Sequence, residues 1–141
     1  MDLLARREHS AAEMRAKLIA REFDANEVDT AIERLVEEGL LSDARFAEAF
    51  TSARLRKGHG PTRIRGELKQ RGVAARLIDA QLHRVDTDWM DMARSVREKK
   101  FGPEQPSDYR ERARQSRFLQ YRGFTGEQIQ RAFDADDDDN E

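Results

Sequence analysis

One helical unit is written into this chain three times. Leu18, Arg21, Phe23, Val28 and Ile32 recur fifty residues on as Leu68, Arg71, Val73, Ile78 and Leu82, and fifty-one further as Leu119, Arg122, Phe124, Ile129 and Phe133. One helix packs through the Leu, a short turn follows, and a second helix packs through an apolar pair spaced i, i+4. Units of this size cannot bury their apolar faces alone, so they stack on their neighbours and offer an extended surface to a large partner. The pattern argues against an enzyme with a single pocket and for a protein that grips something long.

Among 141 residues, 38% are charged and 38% apolar, which suits small aliphatic cores shared between short helices. There is no cysteine, so disulfide frameworks and thiolate metal sites are excluded. No apolar run approaches the roughly eighteen residues that cross a bilayer, and no secretory leader is legible, so a cytoplasmic protein without membrane attachment is expected. The net charge of −2 hides segregation. Residues 1–43 carry 6 Lys and Arg against 11 Asp and Glu, residues 44–85 carry 10 against 3, and residues 86–141 carry 10 against 14. A basic repeat between acidic flanks favours a polyanionic partner.

Local signals place the helices. Ser10-Ala-Ala-Glu13 and Thr125-Gly-Glu-Gln128 have capping-box form, and Asp24-Ala-Asn-Glu27 repeats the pattern with an acidic cap. Gly39, Gly58, Gly72 and Gly123 stop helices, and Ser42 or Asp43, and Thr87 or Asp88, open the next ones. Gly58-His-Gly-Pro61 joins two helices, with Pro61 suited to a first turn. The expected fold is all-α: helical repeat 1 over 1–41, a basic repeat 2 over 42–84, repeat 3 over 85–135, and an acidic disordered tail over 136–141. No strand pattern is found.

Catalytic and metal chemistry find little support. His9, His59 and His83 lack a second His or a carboxylate at the spacing of a familiar metal site, and the Ser and Asp residues suit caps. Gly58-His-Gly-Pro61 lacks the strand that a phosphate-cradling loop follows. No cofactor and no enzymatic activity are expected. The chemistry-bearing set is basic: Arg54, Arg56, Lys57, Arg63, Arg65, Lys69 and Arg71 straddle one tight turn that also holds His59. Two helices meeting at a turn bring their charged ends together, so these residues can form one patch facing phosphates or acidic loops; a solvated helical corner has the same composition. Tyr121 and Arg122, after Phe118-Leu119, can stack on and pair with a partner, or cover the core.

The succession Leu4-Ala-Arg-Arg-Glu-His-Ser10, Gly39-Leu-Leu-Ser-Asp-Ala-Arg-Phe46, Arg56-Lys-Gly-His-Gly-Pro61 with Ile64 and Glu67-Leu68, and Arg117-Phe-Leu-Gln-Tyr-Arg-Gly-Phe124 resembles RecX, the bacterial regulator of the recombinase RecA. The resemblance spans almost the whole chain. It implies three tandem three-helix repeats in an elongated, curved array, with the first repeat shortened at its N-terminus because family members start with a longer helix. That shortening is expected to expose apolar surface near Leu3, Leu4 and Met14. The implied activity is modulation of RecA: binding the RecA–single-stranded DNA filament and limiting its extension, ATPase, strand exchange and co-protease activity in DNA repair and the SOS response. The implied partner is the RecA nucleoprotein filament, met by a monomer with weak, non-specific affinity for single- or double-stranded DNA. The alternatives are a DNA-binding regulator using one three-helix unit as a helix-turn-helix, and a purely structural adaptor. No helix carries the Asn, Gln and Arg that would read base edges in the first alternative.

Overall fold

The computed structural model describes residues 7–134, which form helices and turns; the expectations for the shortened first helix around Leu3 and Leu4 and for the acidic tail lie outside them. Eight helices follow in order among the described residues: α1 (Ala11–Ala20), α2 (Ala25–Glu37), α3 (Asp43–Arg56), α4 (Pro61–Gln70), α5 (Ala75–Arg84), α6 (Trp89–Phe101), α7 (Tyr109–Tyr121) and α8 (Gly126–Ala132). The fold is all-α, as the sequence pattern requires.

Caps set the boundaries. Ser10 and Thr125 each complete a capping box, with Glu13 and Gln128 reaching back to the cap backbone. Asp24, Asp88 and Asp108 accept from the first backbone N–H groups of α2, α6 and α7. At the start of α3 the two candidate caps divide the work. Ser42 Oγ accepts from Arg45 N at 3.1 Å, while the Asp43 carboxylate accepts from Ala11 N at 2.8 Å and so serves the N-terminus of α1.

The chain forms two compact units, residues 1–53 with 65–85 and residues 54–64 with 86–141. In the first, Met14, Val28, Leu41, Phe46, Ala47, Leu68, Val73, Ile78 and Leu82 are buried. Met14, expected near exposed apolar surface, is thus inside, whereas Phe23 and Leu40 remain 55% and 52% exposed. They border an apolar cavity of about 980 Å³ with Met14, Leu18, Val28 and Leu35. In the second unit Ala93, Leu119, Phe124, Ala132 and Phe133 form the core, with Trp89, Met92, Val96, Phe118 and Ile129 packed against it. Leu119, Phe124, Ile129 and Phe133 are the repeat positions read from the sequence, so the periodicity located the part of this core that α7, α8 and their flanking turns supply.

That unit also buries a cation. Arg97 is 1% exposed and lies over the Phe133 ring at 5.1 Å. Its guanidinium donates to the carbonyls of Ala132 (3.1 Å) and Glu104 (3.3 Å) and to Gln115 Oε1 (3.4 Å). The Ala132 carbonyl ends α8, where a positive charge is favoured and orphan acceptors need donors. Arginine is the residue type that stays charged while feeding several acceptors from one plane.

Candidate functional site

In residues 54–64 with 86–141 the site is built on the Gly58–Pro61 turn. Gly58 leaves α3 at φ +78°, a conformation open to glycine. Gly60 N then donates to the Arg122 carbonyl at 2.7 Å and Thr62 N to the Gly123 carbonyl at 2.9 Å. These bonds occupy amide groups at the start of α4 that have no partner within the helix. A Cβ on Gly60 would stand 2.5 Å from the Gly123 carbonyl, so only glycine permits this approach. The Arg122 Nη1 closes the joint by donating to the Lys57 carbonyl at 2.7 Å. The end of α7 and the start of α4 are therefore pinned together through backbone atoms.

Beside this joint lies a groove of about 890 Å³. Leu55, Met92, Val96 and Phe118 supply its apolar lining, and its charged lining consists of Arg56, Lys57, Arg63, Lys99, Lys100 and Arg122, with no carboxylate. His59 and Tyr121 complete the rim. Phe118 organises two of the cations, with the Arg122 guanidinium 4.9 Å and the Lys100 ammonium 5.7 Å from its ring centre. Phe101 packs edge-on against Phe118 at 5.3 Å and fixes the ring. The Arg63 guanidinium lies 5.3 Å from the centre of the Tyr121 ring, which is 76% exposed. Chemically, the groove gathers cations and apolar side chains, with a flat aromatic surface at its edge.

The structure sorts the residues expected from the sequence. Arg56, Lys57, Arg63, Tyr121 and Arg122 come together in the groove, and half-buried Arg54 adjoins them in the chain. His59 is 7% exposed, so it supports the turn more than it presents a surface. Arg65, Lys69 and Arg71 belong to the other unit. There Arg65 pairs with Asp79, and Lys69 is exposed. Arg71, expected to project outward, turns inward instead: it pairs with Glu13 Oε2 at 2.8 Å and lies over the Phe50 ring at 5.0 Å. Lys99 and Lys100 were not anticipated. They stand in the last turn of α6, about forty residues from the basic turn, and the helix pattern gives no hint that they face it.

Glu13 is the centre of the equivalent joint in residues 1–53 with 65–85. Ser10 Oγ donates to the Arg71 carbonyl at 2.7 Å, and Gly72 comes so near α1 that a Cβ on it would stand 2.4 Å from Ala12 Cβ. Burial raises the Glu13 pKa, but donations from Arg7, the Ser10 N–H and Arg71 outweigh it and hold the carboxyl below its ordinary range. His9 beside it has a lowered pKa, first through burial and then through the charges of Arg7 and Lys17. Among the described residues no group of three metal-ligating side chains comes together, and no helix is long and apolar enough to cross a membrane.

Three family models match the chain in order: the first three-helix domain of RecX over residues 1–35, the second over 42–82 and the third over 86–133. The regulatory protein RecX of Halorhodospira halophila is 50% identical over 99% of this chain and 86% of its own length. That of Pseudomonas fluorescens Pf-5 is 48% identical over 93% of this chain and 84% of its own. The crystal structure of RecX from Lactobacillus salivarius shares the fold, with a TM-score of 0.76 at 18% identity over 93% of this chain and 87% of that one.

Proposed function

The chain belongs to the RecX family of regulatory proteins, and from that premise we propose that it modulates the RecA recombinase by binding the RecA–single-stranded DNA filament. It acts without catalysis of its own, by limiting filament extension and with it ATP hydrolysis, strand exchange and co-protease activity in DNA repair and the SOS response. The observation that carries the reading is 50% identity to a regulatory protein RecX along 99% of the chain. The groove supports it physically. A filament of recombinase and nucleic acid is a periodic polyanion, and a cationic groove without carboxylates suits such a partner. Tandem units suit it as well, because contacts to several protomers reinforce one another through effective concentration.

The test is the ATPase rate of the cognate RecA on single-stranded DNA, titrated with the purified protein. The rate is expected to fall as the protein approaches the filament's concentration, in parallel with a loss of filament length in electron micrographs. Unchanged ATPase and filament length at stoichiometric protein would refute the proposal.

A further inference from the structure

The groove gathers cations and supplies no acid to meet them. Arg56, Lys57, Lys99 and Lys100 are exposed, and none of the four has an acidic partner among the described residues. Like charges held this close repel one another, most strongly at low salt. Elsewhere in the same unit cations are met locally: Arg114 pairs with Glu111 at 2.7 Å, Arg112 lies over the Phe133 ring at 4.4 Å, and Arg97 donates to the Ala132 carbonyl.

The unit carries its densest acid just past α8. Asp136–Asp139 and Glu141 put five carboxylates within six residues with no cation among them, and the net charge of −2 becomes +3 without them. The start of this segment is set by Arg94, whose Nη2 donates to the carbonyls of Arg131 at 3.2 Å and Asp134 at 3.4 Å and so fastens the end of α8 to α6. Ser95, the next residue of α6, already lines the groove. Lys99 and Lys100 follow on the same helix, about 8–9 Å from Arg94 along its axis. The seven residues beyond Asp134 span up to about 23 Å when extended, so the far part of the segment reaches the groove with chain to spare.

We infer that the acidic segment Asp136–Glu141 docks in the groove of its own chain, as a tethered counter-charge that any external polyanion has to displace. Exposed ion pairs are individually weak, and it is the tether, with an effective concentration on the order of millimolar, that populates the contact. Its regulatory consequence rests on the reading that the protein binds the RecA filament. A segment that fills the groove about nine-tenths of the time weakens the apparent affinity for a competing partner about tenfold.

Nuclear magnetic resonance on the full chain, without recombinase, tests the docking. The chain has no cysteine, so Glu141→Cys gives one attachment point for a nitroxide label. The label should broaden the amide signals of Lys57, Lys99 and Lys100 at low salt. The broadening should vanish near 1 M salt, where the screening length falls to about 3 Å. The control carries Asp136→Asn, Asp137→Asn, Asp138→Asn and Asp139→Asn behind the same label, so the tether is unchanged and only charge is lost. These positions lie beyond α8, and the melting temperature should not move. Groove signals broadened equally in both proteins, or in neither, overturn the inference. In the unlabelled chain the same four substitutions should lower the concentration for half-inhibition of RecA ATPase by at least about threefold. Equal half-inhibition in the two proteins overturns the regulatory consequence. Salt-sensitive broadening in a chain that leaves RecA ATPase untouched upholds the docking and refutes the proposed function, whereas inhibition with no broadening does the reverse.

Discussion

Glu22 holds a backbone conformation that the other two repeats give to glycine. Its φ is +69°, against +85° at Gly72, fifty residues on, and +100° at Gly123, fifty-one further. A side chain in this left-handed region costs about 1–2 kcal/mol, offset in part by the greater freedom that glycine has when unfolded. Glu22→Gly should therefore raise stability by about 0.5–1 kcal/mol in urea denaturation. Gly72→Ala should do the opposite and cost more than about 2 kcal/mol, because strain adds to the 2.4 Å approach of Ala12 Cβ. His9 and Glu13 set the pH dependence. Nε2 of His9 meets the Lys17 ammonium at 2.8 Å and Nδ1 meets the Arg7 carbonyl at 3.0 Å, an arrangement that suits the neutral ring. With the folded pKa below 6.5, the unfolded chain binds the proton more readily, so the His9 contribution is complete above that pH and is lost as pH falls toward the folded value. Glu13 acts in the same direction below 4.5. Unfolding midpoints should decline on acidification from 6.5, and His9→Gln should flatten the first part of that decline; a midpoint that rises on acidification contradicts the assignment.

The recurring element is a helix start fastened to the carbonyl of a repeat arginine. Ser10 shows how much one side chain does there, capping α1 through Glu13 N at 3.0 Å and donating to the Arg71 carbonyl. Ser10→Ala removes both bonds from a buried position and should cost about 2–3 kcal/mol by chemical denaturation. A loss below about 0.5 kcal/mol would mean that the Gly72 contact and the Arg71–Glu13 pair carry the joint. Element existence was legible in the sequence because each unit repeats its Leu, its helix-stop position and its i, i+4 apolar pair, and because caps such as Asp24 and Thr125 act locally. Which way Arg71 turns was not legible. It follows α4 in a turn that reads as polar, and only a carboxylate 58 residues earlier in the chain draws it inward. Arg97 escaped for a similar reason, since an arginine in an amphipathic helix reads as solvent-facing until the end of α8 lies against it.

At the scale of the molecule, the family and its all-α fold were readable from motif order, and three domain models matched in sequence confirm that reading. The candidate site was half readable. Charge counting found the basic repeat, and Arg56, Lys57, Arg63, Tyr121 and Arg122 do converge. Lys99 and Lys100 join them through tertiary packing, to which charge periodicity is blind. We propose that this groove is where the protein acts on the filament. The most direct test replaces Arg56, Lys57, Lys99 and Lys100 together by Gln, all four being exposed side chains, and measures inhibition of RecA ATPase on single-stranded DNA. The expected result is an unchanged melting temperature and a concentration for half-inhibition raised at least about tenfold, as the removal of four cations from a polyanion-facing groove would give. Inhibition as strong as that of the native chain would contradict it.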